Sequence, residues 1–331
     1  MTGLSRLVDR FGDATVRDLA WLLFSPDLLR ESAAGAPLAQ PFAQPFGSAD
    51  SRDATLTWLA ALDAAPEALH VRSRNPKSTR LGIYAESLLE FFLAHGPAAR
   101  LIAANVPLRR QRRTIGECDF LLETAAGARL HWELAVKFYL HIGDGVERAA
   151  RLSDYVGPNL QDRFDLKHAR LLTHQLGLTS RAEFAALGLE GPWHPQLFIK
   201  GRLFYHDEGI APAPEVGEAH VRGWWLTATE WRDRHGEHGA HEGREDRAWV
   251  VQPRLAWLAP RRLNAPDADS LIDEAAAIHT RLAAIAAPTM VAAYVRDGGT
   301  GWAEESRGFI VPDDWPERAR AFAASELPAP A

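Results

Sequence analysis

Residues 114–139 read TIGECDFLLETAAGARLHWELAVKFY, two apolar runs joined by a short turn. Side chains alternate along a strand, so Glu117 and Asp119 in the first run share one face. The connector Thr124-Ala125-Ala126-Gly127-Ala128 is small and holds a glycine, as a hairpin loop does. In the second run Glu133, Ala135 and Lys137 fall on one face, and Trp132, Leu134 and Val136 on the other. The pattern therefore predicts a hairpin with acids on one strand facing an acid and a lysine on the next, inside an otherwise apolar sheet. A lone charge there would cost several kcal/mol, so such groups are paired or bind a metal. Two uses remain open at this point: a simple Glu133–Lys137 ion pair with Glu117 or Asp119 on an edge, or a site built from all of them.

Composition narrows the class. The chain has 331 residues, 47% hydrophobic and 24% charged, which is ordinary for a globular protein. No apolar run reaches the ~18 residues that span a bilayer. The opening MTGLSRLVDRFGD has acids and no signal-type apolar stretch, so a cytoplasmic location without membrane contact is expected. The single cysteine, Cys118, excludes an internal disulfide and argues against Cys-ligated zinc. Net charge is −6, yet the basic residues are clustered. Arg109, Arg110, Arg112 and Arg113 precede the hairpin, and Arg72, Arg74, Lys77 and Arg80 precede the helix before it. Such clusters either contact phosphates or form a solvated rim.

Outward from the hairpin, apolar spacing predicts helices over 16–29, 54–64, 80–95, 160–176 and 269–286. The Ala/Pro/Gln-rich stretch 33–51 is expected to be loop. Strands are expected over 101–108, 196–205, 221–226 and 248–258, with Gly201 as a bulge, and Phe309-Ile310-Val311 is a short apolar piece. Glu86 and Glu90 sit four residues apart on the 80–95 helix, and Gly82 leaves the surface before Glu86 open. Lys167 and Gln175 fall beside the apolar stripe of the 160–176 helix, where polar groups need partners and the hairpin acids are candidates. His235, His238 and His241 lie in a Gly-rich hydrophilic loop with no fixed ligand geometry. The order gives an N-terminal helical segment (1–66), an α/β core (70–206) and a C-terminal β/α extension (207–331). The fold class is α/β (α+β), a mixed central sheet flanked by helices.

At this point the core resembles the PD-(D/E)XK nuclease superfamily, which implies a restriction-endonuclease-like core. Over nearly its whole length the chain also resembles an uncharacterised bacterial family filed as a domain of unknown function. The stretches that carry this are RLGIYAESLLEFFL, TIGECDFLLE, HWELAVKFYL, GPNLQDRFDLKHARLLTHQL and ESRGFIVPDDWP. Residue by residue, the superfamily likeness gives Asp119 the place of the metal-binding aspartate, Glu86 that of the helix acid and Lys137 that of the strand lysine. The carboxylate expected two residues before that lysine is replaced by Ala135, with Glu133 one pleat repeat further back. Two residues of strand cover ~7 Å and four cover ~13 Å. Either Lys137 reaches back to Glu133, or Lys167 supplies the charge there, or the site is degenerate.

The likeness implies a Mg²⁺ or Mn²⁺ ion on Asp119 and Glu133, supported by Glu86, with Lys137 or Lys167 beside the attacked phosphate. It implies cleavage of DNA or RNA phosphodiesters, with Arg109, Arg110, Arg112 and Arg113 on the nucleic-acid backbone. The alternative is a catalytically inactive nuclease-fold module that binds nucleic acid or a protein partner. A structural protein whose acids and lysines merely pair is the third.

Overall fold

The computed structural model describes residues 3–42, 49–74, 78–143, 149–235, 247–264, 277–278, 280, 282, 287–299 and 301–325. Lys77, His238, His241 and most of the helix expected over 269–286 lie outside them.

The hairpin of residues 114–139 is present and longer than its apolar runs. β1 (Ala99–Arg110), β2 (Arg113–Thr124) and β3 (Arg129–His141) are antiparallel neighbours in order. Gly127 takes the positive φ (80°) that its turn needs, and Thr124 closes the loop by bonding Ala128 through both its N–H and its hydroxyl. After β3 come the short β4 (Tyr155–Val156), a helical crossover and β5 (Trp193–Tyr205). β5 pairs parallel to β3 from Arg129↔Trp193 to Leu140↔Phe204. The sheet continues through β6 (Arg222–Thr227), β10 (Trp302–Val311), β9 (Thr289–Arg296) and β7 (Arg247–Val251), with β8 (Arg262–Leu263) on β10. Ten strands thus form one mixed sheet, and it runs unbroken past residue 206.

Helices cover both faces. On one side lie α1 (Gly3–Val8), α2 (Ala14–Phe24), α3 (Ala49–Ala64), α4 (Glu67–Ser73) and α5 (Leu81–His95). Their apolar residues meet the even-numbered side chains of β3, Leu130, Trp132, Leu134 and Phe138, in the largest core cluster. On the other side α6 (Phe164–Arg170) runs into a π turn (Leu171–Gln175), and its Phe164 and Leu171 pack with Ala135 and Tyr139. The two faces predicted for β3 are therefore the observed ones, since each apolar set needs a different helical layer to bury it. Other helices among the described residues include α7 (Ala182–Ala185), α8 (Ala228–His235) and α9 (Trp315–Ala324). No helix among the described residues is long and apolar enough to cross a membrane.

Several details depart from the sequence expectations: α1, α4, α7 and α8 were not foreseen, and the helix expected over 160–176 begins at Phe164. The helix expected over 16–29 stops at Phe24, because Ser25 turns extended before Pro26. The 248–258 strand ends at Val251 and gives way to a short 3₁₀ turn. β9 was not foreseen. Gly201 is not a bulge: the β3–β5 register passes through Lys137↔Gly201 without a shift. A Cβ on Gly201 would lie 1.8 Å from the Lys137 carbonyl oxygen, so the glycine answers a close approach of two backbones.

Asp13 caps α2 by accepting from Thr15 N and Val16 N, and it also bonds His70 at 2.8 Å. Asp13→Ala should therefore lower stability by about 1–2 kcal/mol. Denaturant melts of the two proteins at equal m-value check this.

Candidate functional site

The site grows from a place where two strands part. β2 and β3 pair only from Phe120↔Trp132 to Glu123↔Arg129. Beyond Phe120, β2 stays with β1 and β3 stays with β5. The parting leaves the Leu134 N–H without a strand partner, and Asp119 fills the wedge: its Oδ2 accepts that N–H at 2.8 Å. The Glu133 carboxyl lies beside Asp119, close enough for its charge to bear on that residue.

Glu133 is fully buried, with 0% of its surface exposed. Its Oε1 lies 2.7 Å from His131 Nε2, and its Oε2 accepts from Gln175 Nε2 at 2.7 Å. Gln175 Oε1 in turn accepts from Lys167 Nζ at 3.0 Å. A relay thus runs Glu133–Gln175–Lys167 from the sheet to the α6 layer. Gln175 ends the π turn, an irregularity that re-aims side chains and recurs at working sites. Glu86 projects from α5, half-buried, and Glu117 is exposed one pleat repeat from Asp119. From Glu117 inward to Glu133 the acids pass from exposed to fully buried.

The electrostatics follow from that gradient. Burial, then the charge of Asp119 and of Glu117, pushes Glu86 up to about 7. Burial, then the charge of Glu133, pushes Asp119 up to about 7. Burial pushes Glu133 up to about 8, against hydrogen bonds from Asp119 and the charge of Lys167. Burial pushes His131 down to about 4, so its ring is neutral. Its Nδ1 is buried without a partner among the described residues. Lys167 is pushed down by burial and by Lys137, and drawn back up by Asp119, Glu133 and Asp162. Three acids therefore face one lysine that itself resists charging.

Of the residues predicted from sequence, the structure brings together Glu86, Asp119, Glu133 and Lys167. Lys137 is on the predicted face but elsewhere on it. Its ammonium pairs with Asp162, which also accepts from the Tyr139 hydroxyl at 3.1 Å. Four strand residues, ~13 Å, separate Lys137 from Glu133, and no bond joins them. Gln175, expected beside the helix stripe with the hairpin acids as candidate partners, meets one of them, Glu133. His131 and Asp162 were missed. His131 was legible as the next member of the His131, Glu133, Ala135, Lys137 alternation. Asp162 lies in a loop, where no period marks a residue.

Among the described residues, no three His, Cys, Asp or Glu side chains stand ready to hold a metal ion together. The donor set that does exist is two adjoining hard carboxylates. That set fits Mg²⁺, which binds through one or two carboxylates plus waters and phosphate oxygens.

The arginines cap the far end of the ribbon. Arg109, Arg110, Arg112 and Arg113 are all exposed around the β1–β2 turn, where Gln111 and Arg112 take positive φ. Arg110 pairs with Glu183. Six strand residues place Arg113 roughly 20 Å from Asp119.

A family model described as "Domain of unknown function (DUF1853)" matches residues 17–311. No curated protein and no solved structure matches the chain.

Proposed function

Because the chain belongs to the DUF1853 family, whose description supplies no activity, we propose from the site itself that it is a divalent-metal-dependent nuclease of PD-(D/E)XK type. The observation that carries this is the buried neighbours Asp119 and Glu133, set where β2 and β3 part, with more acids than cations around them. Such a pair is short of positive charge, and a hard cation supplies it.

Asp119 and Glu133 would hold the ion, and Glu86 would support its waters; Mg²⁺ or Mn²⁺ bound there would supply Lewis acidity toward a phosphodiester and toward water. Gln175 fixes the Glu133 carboxylate, and His131 holds its other oxygen, as outer partners of metal ligands do. Lys167 faces the acids and stabilises charge that grows on the phosphate. The arginine tip holds the nucleic-acid backbone, DNA or RNA, without reading bases.

Calorimetric titration with Mn²⁺ tests the reading. Wild type should bind and release protons, and Asp119→Ala should not bind. The same Mn²⁺-loaded protein should cleave single- or double-stranded nucleic acid, and failure to bind either metal or to cut either substrate refutes it. If the arginines hold phosphates, changing all four to Gln should flatten the dependence of log Kd on log [salt] by about 3. An unchanged slope in a filter-binding series would remove them from the interface.

The second reading is a non-catalytic nucleic-acid-binding module. Ala135 at the usual acid position and the engagement of Lys137 by Asp162 favour it. Salt-sensitive binding that survives both EDTA and Asp119→Ala, without cleavage, would select it.

A further inference from the structure

A second cavity, of about 300 Å³, lies on the other face of the sheet. Lys200 forms its floor and pairs with Val136 in the β3–β5 ladder, whereas Glu133 pairs with Leu197 three positions away. Alternation along β5 therefore turns Lys200 away from the acid cluster. Lys200 is 3% exposed; it donates to the Ser25 carbonyl at 2.7 Å and pairs with Asp27 at 3.0 Å. Gln40 donates to the other Asp27 oxygen at 3.2 Å. The walls are Phe24 and Phe42, stacked with centroids 4.5 Å apart.

The Asp27–Lys200 pair explains itself without a ligand. It ties the end of α2 to β5, and each partner compensates the other's burial. Two other features of the cavity are not explained that way. The Ser25 hydroxyl is buried with no partner among the described residues, on a residue 3% exposed. A buried hydroxyl left unpaired is unfavourable, and a ligand donor or acceptor would relieve it. Arg52 lies at the rim, 5.2 Å over the Phe24 ring, exposed and outside the ion pairs of the described residues.

We infer that this cavity is a ligand site for a planar nitrogen heterocycle that carries an anionic group, of about mononucleotide size. Each part of the ligand answers a part of the cavity. Phe42, with Phe24 stacked behind it, offers one flat apolar face for a ring system. Ser25 and the free lone pairs of Asp27 take ring N–H or amino donors at the floor. Arg52 takes a phosphate or carboxylate at the mouth, where a guanidinium binds either in a forked geometry. About 300 Å³ is the lower end of small-molecule sites, room for a heterocycle and a sugar, with the anionic group at the open mouth.

Calorimetry on the full chain tests this with four probes: adenosine 5′-monophosphate, nicotinate, adenosine and inorganic phosphate. The expected result is binding of the nucleotide or of nicotinate, with adenosine at least about 10-fold weaker and phosphate alone silent. Arg52→Gln should weaken the anionic ligand about 10-fold, and Ser25→Ala several-fold, with both variants melting as wild type does. Asp119→Ala should leave binding unchanged, so this result is independent of the metal chemistry. Failure of both anionic heterocycles to bind at millimolar concentration overturns the inference. So does phosphate that binds as well as the nucleotide, or binding lost with Asp119→Ala and kept with Arg52→Gln.

Discussion

Metal-free protein should melt at a lower temperature at pH 8 than at pH 6.5, by on the order of 5 °C or more, and Mn²⁺ should abolish the difference. Glu86 and Asp119 rise to about 7 and Glu133 to about 8 in the folded chain. The folded state therefore holds protons that the unfolded state has released. Stability that rests on those protons is fully present below the unfolded carboxyl range, near 4, and is lost as pH climbs through 7 and 8. His131 works in the opposite direction, since its folded value of about 4 lies below its unfolded 6.5. Its contribution is complete above pH 6.5, which is why the acids alone show between 6.5 and 8. Lys167, lowered by burial, partly offsets the fall at higher pH.

The metal arm makes this a statement about the site. One pKa unit between folded and unfolded chain is about 1.4 kcal/mol, and a ligand at 100 times its Kd adds about 2.7 kcal/mol. Mn²⁺ takes the place of protons on Asp119 and Glu133, so its stabilisation should be large at pH 8 and small at pH 6. Asp119→Ala should erase both the metal effect and much of the pH slope. A melting temperature that climbs steadily from pH 6.5 to 8, or a Mn²⁺ shift equal at both ends, would show that the acids are already balanced from within the protein.

The hairpin was legible because a strand's period of two is written in the side chains: HWELAVKFY separates into an apolar row and a polar one. What the period does not encode is where a ladder ends. Nothing in ECDFLL says that β2 leaves β3 after Phe120, yet that parting is what turns Asp119 into the wedge beside Glu133. Gly201 was legible as special and not as what it is, because a bulge and a close approach both require a missing Cβ. β9 was hidden by its neighbour: the helix expected to stop at Pro288 drew attention from TMVAAYVR, whose β-branched and aromatic residues mark a strand. Lys137 and Lys167 show the same limit at the site. Alternation fixed the face of Lys137, while its distance from Glu133 and its loop partner Asp162 depended on tertiary structure.

Those two lysines give the second large effect. Lys167→Ala should cut the metal-dependent cleavage rate by about 10²–10³, and Lys137→Ala by less than about 10-fold. The argument is geometric. Lys167 reaches Gln175 at 3.0 Å, and Gln175 reaches Glu133 at 2.7 Å, so its charge lies against the carboxylates that would hold the ion. Lys137 is held by Asp162 at the far end of the same strand face. Gln175→Ala should fall between them, about 10–100-fold, because it removes the group that orients Glu133 and Lys167 without removing either charge. Lys167→Arg should not restore the rate, since a forked, permanently charged group cannot occupy the space of one ammonium bonded to one amide oxygen. Burial holds Lys167 below its ordinary value, so the loss in Lys167→Ala should shrink, not grow, as pH rises. Equal losses at both lysines, measured as kcat at saturating Mn²⁺ on one labelled substrate, would mean that the cation needed at the phosphate comes from neither residue through the Glu133 relay.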